Sequence, residues 1–344
     1  MTLSHKFIGG FFQLDLPKPT TAMSLSRLWN LPEEQKYGFR NARSALSALL
    51  LIVKPSRIWL PAYVCTSILD ACVTRKNDVL FFPVDARLQP DVAFLSDNVK
   101  DNDMVLGINY FGCAPNKEFF LFCQSRPDVT FIEDCAQTIH TSEPSWGTWQ
   151  LYSPRKIIGV ADGGYIVSSN AVLNNELTTL HVNDEEQTWT ALISRFENEE
   201  DNSRWHFKNQ EDEKNMSLTC KTISRLSHSL LKLLDAEQII LKRHHNFEIL
   251  HHHLSDISFF PDKTPHFCPF GFPVKVDEKK RTQLFKKLIN EGIFPATHWN
   301  TIPSPKKNFP IPHKLSQELL TLPCDQRYGV DDMLRLSEAV KKNL

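Results

Sequence analysis

The chain has 344 residues, with 39 Lys or Arg against 40 Asp or Glu and 41% hydrophobic residues, so its composition is that of an ordinary globular protein. A chain of this length usually forms about two domains, and a formal net charge of -1 gives no general attraction to nucleic-acid phosphates or anionic lipid. We therefore expect a folded protein with no nucleic-acid partner and no membrane partner.

Targeting signals and cysteine spacing predict the compartment. The longest apolar run, residues 45–53, is about half of the ~20 residues that a membrane-spanning helix needs. The N-terminus lacks the basic start and the continuous apolar core of a signal peptide. The eight cysteines are scattered and never form C-x-x-C, which argues against a zinc knuckle or a disulfide scaffold. These features predict a cytoplasmic protein.

Between residues 57 and 169, short apolar runs alternate with helical patterns. We predict strands at IWLP, VLFFPV, VLGINYF, VTFIED and YIVSS, and helices through TSILDACV and near residues 117–124. This alternation is typical of a mostly parallel sheet with crossover helices, whose strands are apolar on both faces because helices cover them.

The C-terminal third predicts a second, smaller unit. Apolar residues recur at helical spacing from residue 218 to 254, which predicts two successive helices or one bent helix. FGFPVKV then predicts a strand, DEKKRTQLFKKLINEGI an amphipathic helix, and VDDMLRLSEAVKKNL a C-terminal helix. We predict a large domain over residues 1–235 and a smaller α+β domain over residues 236–344.

The densest chemical signal is FIEDCAQTIH followed by LYSPRKIIGVADGG. Asp134 ends an apolar strand, and Lys156 lies in a Ser-Pro-Arg-Lys turn 22 residues later (156 − 134). Ligands of open α/β sheets bind at the carboxyl ends of the strands. A carboxylate buried there is costly unless it meets a cation or hydrogen-bond donors. A protonated pyridine ring would be a suitable cation.

Lys156 adds the second half of the chemistry. An amine held in a desolvated site has a depressed pKa and can form a Schiff base with an aldehyde such as pyridoxal phosphate. With Asp134 keeping the ring nitrogen protonated, that ring becomes an electron sink. When a substrate amine displaces Lys156, the freed amine can move a proton as a general base and acid. The pair predicts a pyridoxal-phosphate enzyme.

Candidate phosphate ligands precede an apolar helix. Ser44 and nearby backbone N–H groups stand at its start with Arg43 beside them, and Ser153 is a second candidate. Helix N-termini bind anions through their dipole and their unsatisfied N–H groups. Gly163 and Gly164 would allow a positive φ or a close approach to the cofactor.

These motifs resemble those of the DegT/StrS-like family of pyridoxal-phosphate sugar aminotransferases, and the resemblance covers nearly the whole chain. The family's E-D-x-A-Q is similar to residues 133–137, and its lysine followed by an acidic residue and G-G is similar to residues 156–164. The resemblance implies the α/β fold of the fold type I (aspartate aminotransferase) superfamily: a large domain with a mostly parallel seven-stranded sheet between helices, and a smaller C-terminal α+β domain. It also implies a homodimer, with Asp134 at the ring nitrogen and Gln137 at the ring face or hydroxyl.

Three positions depart from the family pattern. Arg43 stands where the family usually has Gly, Leu151 where it has a phosphate-binding Ser, and Asn109 where it has His. We expect Ser153 and Arg43 to compensate for the changed phosphate contacts.

Other family features leave alternatives open. The aromatic residue that stacks on the cofactor ring falls at Cys65 without gaps, and Tyr63 lies two residues earlier, so Tyr63 is the aromatic candidate for that role. Asn215 is the candidate for a loop that reaches the neighbouring subunit's cofactor. Trp299 either lines the substrate cleft or packs in the core.

The expected function follows from the family. It is transfer of an amino group from an amino acid, with glutamate as the expected donor, to a nucleotide-linked keto-sugar, and family analogy suggests polysaccharide biosynthesis. One alternative is another pyridoxal-phosphate reaction on a sugar, such as dehydration, although family members that do this replace the lysine by histidine. The other is a cofactor-free binding or regulatory protein on the same fold, motivated by Leu151 and Arg43. The histidines of residues 244–253 lack the spacing of a zinc helix, so we predict no metal.

Overall fold

The computed structural model describes residues 6–17, 24–29, 35–73, 78–141, 144–168, 189–197, 220–260 and 267–344. In chain order, the strands are β1 (Ile8–Gly9), β2 (Lys36–Phe39), β3 (Arg57–Pro61), β4 (Asp78–Phe82), β5 (Met104–Ile108), β6 (Thr130–Cys135), β7 (Trp149–Tyr152), β8 (Gly164–Val167), β9 (Phe272–Lys275), β10 (Ile293–Phe294) and β11 (Leu319–Leu322). The α-helices are α1 (Leu25–Leu28), α2 (Ala42–Val53), α3 (Thr66–Val73), α4 (Val92–Asn98), α5 (Lys117–Ser125), α6 (Thr190–Glu197), α7 (Arg225–Leu233), α8 (Ala236–Leu254), α9 (Glu278–Asn290), α10 (Pro310–Glu318) and α11 (Val330–Asn343).

A seven-stranded sheet forms the centre of the larger part of the protein. Its strand order is β2-β8-β7-β6-β5-β3-β4. The strands β4, β3, β5, β6 and β7 run parallel, whereas β8 is antiparallel to both β7 and β2. Every residue of β5 is buried, because helices cover both faces of a parallel sheet. The mostly parallel sheet predicted from the sequence is therefore confirmed.

The helices predicted from apolar spacing are also present. The segments predicted at residues 66–73 and 117–124 form α3 and α5, and the amphipathic and C-terminal segments form α9 and α11. The long apolar pattern up to residue 254 is two helices, α7 and α8. Asp235 separates them, because its side chain accepts a hydrogen bond from the Gln238 N–H at 3.1 Å and so caps the start of α8.

A second hydrophobic core lies in the C-terminal part. There β9 and β11 pair antiparallel, and α8, α9 and α11 pack around them with Phe247, Leu284 and Leu336 in the core. Ile8 of β1 also belongs to this core, since β1 pairs with β10. The start of α8 instead packs against the larger part through Ile239. Because Ile8 and Ile239 each join a cluster on the other side of residue 235, the clusters do not follow this boundary, and the division into residues 1–235 and 236–344 stays a proposal.

Candidate active site

A cavity of about 810 Å³ lies at the carboxyl ends of the central strands. Its wall includes Ile108, Asp134 and Leu151, which are adjacent on β5, β6 and β7. The C-terminal part supplies another part of the wall, including Phe294 and Leu322. The cavity therefore lies between the two hydrophobic cores.

Asp134 and Lys156 line this same cavity, as the sequence predicts. Asp134 is 4% exposed, and its Oδ1 accepts a hydrogen bond from the Ala136 N–H at 2.8 Å. Burial raises the pKa of Asp134, and the positive charge of Lys156 and the Ala136 bond oppose that rise. Lys156 ends a 3₁₀ turn, Pro154–Lys156, and its side chain is exposed. Lys156 thus faces the cavity, and the desolvated amine expected from the sequence stays a prediction.

Gln137 is oriented by a strained piece of backbone. Its Oε1 accepts a hydrogen bond from the Phe111 N–H at 2.5 Å, so the amide nitrogen is the end left to face the cavity that Gln137 lines. Phe111 has a φ of 57°, a left-handed conformation that is uncommon for a bulky residue. Strain of this kind persists where the surrounding structure fixes it, often at functional sites.

The strand that carries Asp134 is braced by a buried polar network. Glu133 is 1% exposed, and its carboxylate accepts hydrogen bonds from Asn109 Nδ2 at 2.8 Å and Ser145 Oγ at 2.7 Å. The Asn109 N–H donates to the Asp134 carbonyl at 3.0 Å. Asn109 therefore acts on the site through the backbone and Glu133, and it is not among the described residues that line the cavity.

The predicted phosphate ligands carry buried polar atoms without partners. Asn41 caps α2, with its Oδ1 accepting from the Ser44 N–H at 2.9 Å. Within the described ranges, Asn41 Nδ2, Ser44 Oγ and Ser153 Oγ are buried and have no hydrogen-bond partner. Buried polar groups are nearly always hydrogen-bonded, so these orphaned atoms indicate a polar ligand. The adjacent N-terminus of α2 favours an anion, and the residues present fit a phosphate group.

The orphaned polar atoms of Asn41, Ser44 and Ser153 form a phosphate cradle. Two residues near this cradle, Leu151 and Arg43, depart from the family pattern, with different consequences. Leu151 is 2% exposed and lines the cavity, so an apolar side chain stands where the family has a hydroxyl donor. Arg43 also lines the cavity and places a cation next to the start of α2. Ser153, two residues after Leu151, offers the hydroxyl that Leu151 lacks.

Tyr63 and Cys65 occupy different environments. Tyr63 is fully buried, and among the described residues it is not part of the cavity wall. Its ring packs 5.7 Å from that of Tyr110 and 5.5 Å from that of Trp299, and its hydroxyl donates to the His298 carbonyl. Cys65 lines the cavity, where the charges of both Lys156 and Asp134 act on it. The structure thus brings Cys65 to the wall and places Tyr63 behind it, as a support for Trp299.

Gly163 and Gly164 lie outside the cavity wall, and Gly164 packs against the start of α2. A Cβ on Gly164 would lie 2.2 Å from the backbone carbon of Asn41, so only glycine allows β8 to approach the cap of α2 this closely. Gly163 has a φ of 140°. The preceding Asp162 accepts hydrogen bonds from the Ser224 N–H at 2.8 Å and Ser224 Oγ at 2.7 Å, at the start of α7. This motif therefore supports the cradle rather than lining the cavity.

His298 is a cavity residue that the sequence analysis missed. Its Nδ1 lies 2.9 Å from Thr321 Oγ1, and its half-buried ring lines the cavity. Burial, followed by the charge of Lys156, lowers the pKa of His298 to about 3. The ring is therefore neutral near pH 7. Its neighbour Trp299, which the sequence left between cleft and core, also lines the cavity.

Basic side chains dominate the cavity wall. Among the described residues, the wall contains two acidic side chains, Asp134 and Asp325, and six basic ones: Arg40, Arg43, Arg155, Lys156, Arg243 and Arg327. Asp325 is paired with Arg327, at 2.7 Å from its Nε. Arg43 and Lys156 add positive charge to this wall, which favours an anionic ligand.

Three further expectations concern Asn215, membrane-spanning helices and metal-binding groups. Asn215 lies outside the described residues. Over the ranges that the structure describes, no helix has the length and apolar character needed to cross a membrane. In those same ranges, no three or more His, Cys, Asp or Glu side chains are grouped to hold a metal ion.

The sheet and the cavity at its strand ends define the α/β architecture of fold type I enzymes, and solved structures share it. The PLP form of Spr1654 from Streptococcus pneumoniae, described as a sugar aminotransferase, matches with a TM-score of 0.73 at 12% identity, covering 98% of this chain and 100% of that one. PseC from Helicobacter pylori, an aminotransferase of pseudoaminic acid biosynthesis, matches with a TM-score of 0.70 at 12% identity, covering 98% and 99%. The aminotransferase TlmJ from Streptoalloteichus hindustanus matches with a TM-score of 0.70 at 15% identity, covering 93% and 88%.

The sequence itself identifies the family. Residues 45–341 match the profile of the DegT/DnrJ/EryC1/StrS aminotransferase family, so the chain belongs to this family and is an aminotransferase. Members of the family depend on pyridoxal phosphate, which confirms the cofactor expected from the Asp134 and Lys156 motifs. No curated protein sequence matches the chain.

Proposed function

We propose that this aminotransferase transfers an amino group from an amino acid, with glutamate as the expected donor, to a nucleotide-linked keto-sugar. One observation carries the proposal. The Lys156 amine, the Asp134 carboxylate and the orphaned Ser153 hydroxyl share one cavity at the strand ends. These three groups fit, in that order, the aldehyde, the ring nitrogen and the phosphate of pyridoxal phosphate.

Each residue then has a role in holding the cofactor. Lys156 would hold it through a Schiff base, Asp134 would accept a hydrogen bond from the protonated ring nitrogen, and Gln137 would donate its amide nitrogen. Ser44 and Ser153 would donate their orphaned hydroxyls to the phosphate, with Arg43 adding a positive charge. When bound, pyridoxal phosphate supplies the electron sink for carbanion formation.

Side chains of the cavity would then transfer the proton during the reaction. Lys156 extends freely into the cavity, so it can move a proton as a general base and acid once a substrate amine takes its place. Asp134 is buried in the cavity wall, where its carboxylate would stabilise the protonated ring nitrogen. His298 stays neutral and can accept a hydrogen bond from a substrate hydroxyl.

The substrate class is supported by the charge of the wall. An excess of basic side chains suits the diphosphate of a nucleotide carrier. DesI, a structure with a TM-score of 0.67 and 15% identity, was solved in the presence of its TDP-sugar product. By the same family analogy, we propose polysaccharide biosynthesis as the process and a homodimer as the working form. The eight free cysteines support a cytoplasmic location.

The test follows the half-reaction with the amino donor. The chain is loaded with pyridoxal phosphate, and glutamate is added while the visible absorbance is recorded. We expect the parent to lose its absorbance, Lys156→Ala to form no adduct, and Asp134→Ala to bind cofactor but react at least ~10³-fold more slowly. Lys117→Ala, at an exposed residue of α5, is the matched control and should behave like the parent.

Two results separate the remaining alternatives. A chain that stays colourless after incubation with pyridoxal phosphate would favour the cofactor-free binding protein, which Leu151 and Arg43 motivate. A chain that reacts with glutamate is then offered a panel of nucleotide-linked keto-sugars. Regain of the visible absorbance with none of them would remove the sugar substrate from the proposal.

A further inference from the structure

The backbone of Ile157, the residue after Lys156, is held by the C-terminal part of the chain. The carbonyl oxygen of Ile157 accepts hydrogen bonds from Gln326 Nε2 at 2.8 Å and from Arg243 Nη2 at 3.3 Å. The Ile157 N–H is already committed to the Pro154 carbonyl at 2.8 Å. Both backbone polar groups of Ile157 are therefore hydrogen-bonded, and these bonds hold the turn that ends in Lys156.

Arg243 is buried and reaches several segments at once. It is 1% exposed, and its Nη1 donates to the carbonyls of Pro269 at 2.8 Å and Phe270 at 3.1 Å, while its Nε donates to Gln326 Oε1 at 2.8 Å. A planar guanidinium can make such a set of bonds, whereas the single ammonium of a lysine cannot.

This buried charge is costly for the fold. The charge of Arg243 acts on Asp325, and Asp325 is itself bonded to Arg327 at 2.7 and 2.8 Å. A buried cation held mainly by neutral oxygens pays a large desolvation cost, and an apolar residue of similar size could often fill the same space at lower cost.

The N-terminal segment holds the same turn from another side. Asp15 Oδ2 accepts from the Gly159 N–H at 2.7 Å, and the Asp15 N–H donates to the Gly159 carbonyl at 3.0 Å. Gln326 Nε2 also lies 3.4 Å from Asp15 Oδ2, so Gln326 joins the two sets of contacts. Ile157 and Gly159 are therefore tied to the C-terminal part and to the N-terminal segment, respectively.

We propose that Arg243 and Gln326 are positioning residues, which fix the Lys156 amine relative to the phosphate cradle by holding the Ile157 carbonyl. The long side chain of Lys156 is exposed, so its place in the cavity is set mainly by its backbone. Ser153 lies on the same turn, and its backbone carbonyl accepts a hydrogen bond from the Lys156 N–H at 3.0 Å. A shift of the turn would therefore disturb the amine and the cradle together. This inference rests on the proposed function, in which Lys156 is the reactive amine.

The test compares two aldehydes on the full chain after removal of any bound cofactor. Pyridoxal phosphate uses both the amine and the phosphate cradle, whereas pyridoxal uses the amine alone. The adduct at Lys156 is trapped with borohydride at intervals and measured by peptide mass spectrometry. The ratio of the two trapping rates reports how well the amine and the cradle are aligned. General loss of fold lowers both rates and leaves no selective change in that ratio.

We expect Arg243→Met and Gln326→Leu each to lower this ratio at least ~10-fold, since small misplacements of reacting groups have effects of that order or larger. Arg243→Met also removes a positive charge from the cavity wall, so Gln326→Leu, which removes no charge, decides whether alignment is lost. Arg281→Met is the matched control. The Arg281 guanidinium also binds backbone carbonyls, those of Gln317 at 2.8 Å and Ser316 at 3.3 Å, but it makes no contact with the Lys156 turn. Its ratio should equal that of the parent.

The outcomes are distinguishable. A parent that forms no adduct at Lys156 overturns the proposed function and this inference with it. A parent that forms the adduct, with an unchanged ratio in Gln326→Leu, overturns the positioning role alone. If Arg243→Met does not fold, the half-buried Gln326 carries the test, because it contacts the same carbonyl.

Discussion

We predict that His298 makes the stability of the fold depend on pH. Its pKa is lowered to about 3, mainly by burial and then by the charge of Lys156, from an ordinary value of 6.5 that the unfolded chain should keep. Below pH 6.5 the unfolded chain gains a proton that the folded chain does not, so the full stability is present above pH 6.5 and falls as the pH drops toward 3. From pH 8 to pH 5, a difference of 1.5 units (6.5 − 5) costs about 2 kcal/mol.

Urea unfolding at pH 8 and at pH 5 measures this loss. In His298→Asn the amide can still bond to Thr321 but does not titrate, so the fall in the free energy of unfolding should be smaller than in the parent by about 2 kcal/mol. His252→Asn, at an exposed residue of α8, is the control and should show the same fall as the parent. Equal pH dependence in His298→Asn and the parent would refute the reasoning.

Two further predictions concern the cradle and the turn. Without cofactor, Ser44→Ala and Ser153→Ala should each leave the fold unchanged or stabilise it by up to ~1 kcal/mol, because each removes an orphaned buried hydroxyl, yet each should weaken pyridoxal-phosphate binding about 10-fold. Urea unfolding and absorbance titration measure the two effects, and destabilisation with unchanged affinity would contradict the ligand role. Gly159→Ala should destabilise the fold by about 3 kcal/mol, since its Cβ would lie 1.8 Å from the Gln13 carbonyl oxygen; unchanged urea unfolding would contradict that packing.

The parts of the site that could be predicted from the sequence are those encoded locally. Asp134 follows an apolar run long enough to be a buried strand, and Lys156 follows a proline turn, so the backbone around each could be anticipated. Ser44 could be placed at a helix start because Asn41 and the apolar run after it are typical of one. By contrast, β2 and β7 have four residues each and no distinct apolar pattern.

The parts that could not be predicted depend on contacts between distant segments. Gln326 lies 169 residues from Ile157, and no local pattern marks either residue as a partner. The position of Tyr63 behind the cavity wall involves Trp299, which packs on it from the C-terminal part of the chain, a contact that no local pattern predicts. The same physics explains the exposed Lys156: composition indicates a buried strand beside it but does not define the size of the cavity.

The central claim is that Lys156 bonds covalently to pyridoxal phosphate in the cavity that also holds Asp134. The most direct measurement is a peptide map of the parent after loading with pyridoxal phosphate and reduction with borohydride. The account predicts a phosphopyridoxyl group on the peptide that contains Lys156 and on no other lysine. A label on a different lysine, or none at all, would contradict it.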